Sequence, residues 1–202
     1  MDTQAPASYF DREFQVEAVK LLPGQYHASR GPGSITTVLG SCVSTCLWDP
    51  VERIGGMNHF MLPGDASAAS LSTVSGRLGV NAMELLINDM LRLGAQRRRL
   101  VAKVFGGARV LQAFETLDVG ALNSRFVLDF LREENITVLG EDLLGVSPRK
   151  LHFFPESGKV QMRKLLLHAH GVVETQERAY RDRLRLQQDA SGDVEMFQVP
   201  RR

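Results

Sequence analysis

A chain of 202 residues that is 44% hydrophobic can bury a core, and its length suits one domain better than two. Its 24 Lys and Arg nearly balance 23 Asp and Glu, which excludes the basic field expected of a nucleic-acid binder or of a protein drawn to anionic membrane. No stretch nears the roughly 20 apolar residues of a membrane span, none follows the first Met, and two cysteines are too few for a disulfide-stapled scaffold. The expectation is a cytoplasmic protein with reduced thiols.

Residues 1–12 are polar and irregular and predict a disordered N-terminus. Phe14, Val16 and Val19 then alternate as a first strand, and 23–33, rich in Gly and Pro, reads as loop. The β-branched run at 34–39 predicts a strand that ends at Gly40. Segments 43–48 and 53–62 read as a hairpin about Asp49 and Pro50, which open a type I turn. The small, polar stretch 63–75 reads as surface loop. Val80, Met83, Ile87, Met90 and Leu91 fall at helical spacing, which predicts a helix over 77–93 stopped by Gly94. A strand over 100–105 runs into Gly106 and Gly107, and Asn123 is placed to cap a helix with the apolar stripe Phe126, Val127, Phe130 and Leu131. Strands follow at 136–141, 150–154 and 159–164, the last two joined by a turn at Glu156, Ser157 and Gly158. The core domain is thus 13–168. The segment 169–202 is highly charged with few large apolar groups and reads as a solvated tail, able to become a short helix when a partner is present.

The chemistry concentrates in TTVLGSCVSTCLWDPVERIGGMNHFMLP, residues 36–63. A turn centred between Pro50 and Val51 sets Cys42 opposite His59, on one face of the sheet with Cβ atoms about 4.5–5.5 Å apart. A bulge at Gly55 or Gly56 would shift that register and turn His59 away. In contact, the imidazole can take the thiol proton, which makes Cys42 a nucleophile and His59 its base. Gly40 and Ser41 lie where backbone N–H groups can hold a developing oxyanion. Thr36, near the end of the preceding strand, is placed to fix the imidazole tautomer through its hydroxyl. A buried structural Cys and a hydrogen-bonded core His are the bland alternatives for the pair. Cys46 lies four extended residues from Cys42, about 13 Å, too far for a disulfide, and His168 and His170 are too sparse for a metal site. Gly106 and Gly107 lack the Lys and Ser or Thr of a phosphate-binding P-loop.

These segments resemble the CheD family, the chemoreceptor glutamine deamidases of bacterial and archaeal chemotaxis. The likeness runs from about Val16 to Lys164, through LGSCV at 39–43, NHFMLP at 58–63, NAMELLIN at 81–88, FGGA at 105–108 and the closing GKVQMRK. It implies an α+β fold of three layers, an α/β/β sandwich with mixed sheets, similar to the catalytic domain of a deamidating toxin. It also implies the catalytic set Cys42, His59 and Thr36, with Thr37 as the adjacent alternative to Thr36. The implied reaction converts glutamines on the cytoplasmic helices of methyl-accepting receptors to glutamates, with no cofactor and no metal. Receptors are then the partners, with a CheC-type phosphatase as a further one. Competing expectations are a chemotaxis adaptor that binds receptor or CheC without catalysis, and a cysteine hydrolase acting on another amide or ester.

Overall fold

The computed structural model describes residues 5–62, 74–110, 118–165 and 170–190. In chain order the elements are β1 (Ala7–Asp11), β2 (Val16–Lys20), β3 (Tyr26–Arg30), β4 (Ser34–Leu39), β5 (Val43–Asp49), β6 (Ile54–Asn58), α1 (Val74–Arg92), a 3-10 turn at Arg97–Arg99, β7 (Val101–Gly106), α2 (Val119–Glu133), β8 (Thr137–Leu143), β9 (Arg149–Phe154), β10 (Lys159–Lys164) and α3 (His170–Ala190). One sheet runs β1-β2-β4-β9-β10 and the other β3-β6-β5-β7-β8. The β2–β4 and β7–β8 pairs are parallel and the rest antiparallel, so both sheets are mixed.

Two apolar cores separate three layers, as expected of an α+β sandwich. Met83, Leu86, Ile87 and Met90 of α1 and Phe126, Val127, Phe130 and Leu131 of α2 pack on Leu47, Ile54, Ala102 and Val104 of the second sheet. Behind that sheet, Ile35, Leu39, Leu151 and Phe153 of the first sheet meet Cys46, Met57 and Phe105 of the second, with Cys42 at the margin of this inner core. Each fully buried Leu, Ile, Phe or Met stabilises by about 1.5–3 kcal/mol, so α1 and α2 are held firmly. α3 differs: among its described side chains, Val173 and Leu184 are the buried aliphatic ones.

Several sequence expectations hold closely. Gly94 adopts φ +108 and closes α1 two residues after its end, and the strands at 34–39 and 159–164 form with those bounds. The ends of the chain depart from expectation. Within 1–12, expected to be disordered, Ala7–Asp11 forms an edge strand by backbone pairing to β2, with four of its five side chains exposed. Within the expected tail, His170–Ala190 is helix. Tyr26–Arg30, read as loop, is an edge strand against β6. Helix α2 begins earlier than Asn123, with Asp118 as its cap accepting from the Ala121 N–H at 3.0 Å. Residues 63–73 and His168 lie outside the described residues.

Candidate active site

The β5–β6 hairpin sets the site, through a register different from the expected one. Asp49 Oδ1 accepts from the Val51 and Glu52 N–H groups and Arg53 takes φ +54, giving a four-residue loop that pairs Asp49 with Ile54 and Cys46 with Met57. Pairing resumes at Val43 and Phe60. The register has therefore slipped by two residues from the expected pairing of Cys42 with His59. A slip of two keeps every side chain on its face, and His59 becomes the diagonal neighbour of Cys42, still within reach. Gly55 and Gly56 stay in the ladder. Cys42 Sγ, a His59 ring nitrogen and a Glu177 carboxylate oxygen all lie within 4.8 Å of one another.

His59 is oriented by Thr37. The Thr37 hydroxyl donates its one proton to the Leu21 carbonyl at 2.9 Å and lies 2.7 Å from His59 Nδ1, so Nδ1 must carry the hydrogen and donate to it. Nε2 is left with its lone pair, buried and without a hydrogen-bond partner among the described residues, which is the state a general base requires. The expected contact from Thr36 is not made. Its hydroxyl donates to the Leu151 carbonyl at 2.7 Å. The cause is strand alternation: Ile35, Thr37 and Leu39 share the face turned to the inner core, where His59 lies, and Thr36 faces away.

The loop carrying Cys42 is held so that its N–H groups converge. Its carbonyls point outward from the site: the Gly40 carbonyl accepts from Ala108 N–H at 2.7 Å, that of Cys42 from Gly107 N–H at 2.8 Å, and that of Ser41 from Asn123 Nδ2 at 2.8 Å. Asn123 also accepts from Leu62 N–H at 2.8 Å through Oδ1, tying the segments that carry Cys42 and His59 to α2. Gly106, at φ +117, lets this packing form, since a Cβ there would lie 2.2 Å from the Cys42 carbonyl oxygen. The three N–H groups then meet one anion. Glu177 Oε1 accepts from Gly40 at 2.8 Å and Cys42 at 3.1 Å, and Oε2 accepts from Ser41 N–H at 2.8 Å and the Ser41 hydroxyl at 2.7 Å. This is an anion seat built of backbone, beside a thiol and an imidazole.

The site is sealed: Cys42 is 0%, Glu177 1% and His59 2% exposed. Burial pushes the Cys42 thiol well up, and the charge of Glu177 and a hydrogen bond to it push it further. Burial drives His59 down to about 3. With Glu177 in place the pair is therefore neutral, thiol and imidazole, and the thiolate is withheld. Cys42, His59 and Glu177 are the one cluster of such donors close enough to share a cation among the described residues. Both Glu177 oxygens are already satisfied by N–H and hydroxyl donors, which suits an anion seat and not a cation site.

The model of the family described as "CheD chemotactic sensory transduction" matches residues 61–164. A probable chemoreceptor glutamine deamidase CheD 1 of Shewanella oneidensis is 50% identical over 193 residues, spanning 95% of this chain and 93% of the relative. Probable chemoreceptor glutamine deamidases CheD of Janthinobacterium sp. and Thiobacillus denitrificans are each 48% identical over 190 residues, spanning 94% of this chain and 93% and 94% of theirs. The chain belongs to the CheD family. In this CheD chain, sequence reasoning missed two parts of the site, Asn123 and Glu177, and carried Thr37 as the alternative to the preferred Thr36. Thr37 was legible from its sharing a strand face with Ile35 and Leu39. Asn123 looked like a helix cap, and nothing local distinguishes a cap from a clamp between distant loops. Glu177 was visible as part of the helical spacing Val173, Glu177, Tyr180 and Leu184, hidden by the charge around it.

Proposed function

We propose that this chain hydrolyses the side-chain amide of glutamines in methyl-accepting chemoreceptors, leaving glutamate and ammonia. The observation that carries this reading is the convergence of a thiol, an imidazole held in the Nδ1–H tautomer and three backbone N–H groups in one buried corner. With a glutamine amide in the anion seat, His59 Nε2 takes the Cys42 proton and Sγ attacks the amide carbon. The oxyanion falls to the Gly40 and Cys42 N–H groups, the pair that share one oxygen of Glu177. The imidazolium gives its proton to the amide nitrogen, which leaves as ammonia when the C–N bond breaks. Water, deprotonated by His59, then opens the thioester and returns the thiol. Thr37 is the positioning residue behind His59; Ser41 adds its N–H and hydroxyl to the seat. Thr36 is left without a direct role.

No helix among the described residues is long and apolar enough to cross a membrane, which accords with a reaction at the cytoplasmic helices of receptors. A CheC-type phosphatase is a further partner in this reading, tested by co-purification of the two purified proteins. The deamidase reading is tested by coexpression with a receptor cytoplasmic fragment and peptide mass mapping. Wild type adds about 1 Da for each glutamine converted, and Cys42→Ala adds none. A wild-type chain that binds the fragment and releases no ammonia would instead be an adaptor.

A further inference from the structure

Helix α3 presents one face to the site. Val173, Glu177, Tyr180 and Leu184 follow at helical spacing, while Glu174 and Arg178 pair at 2.7 Å on the solvent side. Its seat is cut to a helix. A Cβ at Gly40 would lie 2.6 Å from Val110, 2.9 Å from Glu177 and 2.9 Å from Val173, and one at Gly24 would lie 2.6 Å from the Tyr180 hydroxyl oxygen. Gly24 also donates its N–H to the His59 carbonyl at 2.7 Å, so the part of the seat under Tyr180 is continuous with the base. Two glycines thus let the side chains of a helix come close enough to set the Glu177 carboxylate beside Cys42.

The group that α3 delivers is a carboxylate on that side chain. It takes both the oxyanion pair of N–H groups and the Ser41 donors, as the glutamate left by deamidation would. We propose that α3 is an internal product mimic, seated where the substrate helix docks, and that Glu177 closes the site until a receptor helix displaces it. The seat then selects a target glutamine that carries an apolar residue four positions before it and an aromatic residue three positions after it, the register in which Val173 and Tyr180 meet Gly40 and Gly24. Withdrawal of α3 uncovers the thiol, whose burial is the chief cause of its raised pKa, and removes the Glu177 charge that raises it further, so opening and activation of Cys42 are one event.

The inference rests on the deamidase reading, and one variant of the full chain separates the two. Glu177→Gln places an amide in the seat, with Oε1 at the Gly40 and Cys42 N–H groups and the amide nitrogen donating to the Ser41 hydroxyl, while the Ser41 N–H gives up the acceptor it has in the carboxylate. Sγ bonds the amide carbon, ammonia leaves with the thiol proton, and water releases Glu177, so residue 177 reverts to glutamate with a gain of about 1 Da. Peptide mapping across residue 177 should find glutamate in this variant and glutamine when Cys42→Ala is added. Glutamine persisting at 177 in a chain that still deamidates a receptor fragment overturns the mimic and leaves the deamidase reading standing. If the fragment is untouched as well, both fall. Leu184→Ala, which loosens α3 two turns from the thiol, should raise the initial rate on the fragment roughly tenfold by shifting the helix toward its open position. An unchanged or lower rate with folded protein contradicts the closure.

Discussion

The β5–β6 hairpin holds a buried carboxylate at each end, and the two are built for different work. At the turn, Asp49 is 0% exposed and accepts from the Arg99 guanidinium at 2.8–2.9 Å, the Gln96 N–H at 2.9 Å and the loop N–H groups of Val51 and Glu52. Burial opposes its ionisation, yet Arg99 and those N–H groups hold its carboxyl below the usual range. At the other end Glu177 is equally buried, yet its hydrogen bonds come from uncharged backbone and hydroxyl donors, and its neighbours are a thiol and an imidazole. Asp49 belongs to its own strand and ties a turn to the 3-10 segment. Glu177 arrives from a helix with few buried apolar groups. One carboxylate is fixed by a cation and stabilises; the other fills a seat made for something that comes and goes.

The largest effect that would sharpen this contrast lies at the site end. His59→Gln should lower deamidation of a receptor fragment by about 10³-fold, since it removes the base and the acid for both half-reactions, while the protein stays folded by circular dichroism. At the turn end the order reverses. Asp49→Ala leaves the buried part of Arg99 and three N–H groups without their acceptor, and should lower unfolding stability in urea by about 3–5 kcal/mol with little change in rate per folded molecule. Equal losses of activity at both ends would erase the distinction.

The paired threonines give a finer version of the same test. Thr37→Val should cut kcat by about 10–100-fold through loss of the Nδ1 acceptor, and Thr36→Val, whose hydroxyl serves the Leu151 carbonyl, by less than about threefold. A ranking with Thr36 ahead would break the account of His59 orientation. The smallest effect is on pH dependence. His59 is lowered from 6.5 to about 3, so the folded state binds fewer protons there than the unfolded chain, and stability is full above pH 6.5 and declines as pH falls toward 3. The contribution is at most about 1.4 kcal/mol per pH unit, and His59→Gln should flatten the slope of stability between pH 6 and 4. His27 and His152, also lowered chiefly by burial, keep part of that slope.

The same contrast explains what was legible in the sequence. Strands with dense β-branched or alternating apolar residues, such as Ser34–Leu39 and Lys159–Lys164, and the helix closed by Gly94 could be read because their local pattern and their packing agree. The contact of Cys42 with His59 survived an incorrect register because two residues is the period of a strand. Ala7–Asp11 and Tyr26–Arg30 were hidden because edge strands are held by backbone pairing, which leaves little trace in side-chain composition. Helix α3 was hidden for a related reason: its charged residues argue for solvent, and its few inward residues gain their meaning from a seat on distant loops. Asn123 and Gly106 act on the Cys42 loop across long sequence separations, which no local window contains.

The central claim is that Cys42 carries the acyl group of a receptor glutamine. Denaturing mass spectrometry of an acid-quenched reaction with a receptor peptide tests it most directly. The account predicts a transient adduct of enzyme plus peptide less about 17 Da, the mass of ammonia, mapped to Cys42 and absent from Cys42→Ala. Deamidated peptide accumulating at the same rate with Cys42→Ala, and no adduct on the wild-type chain, would contradict it.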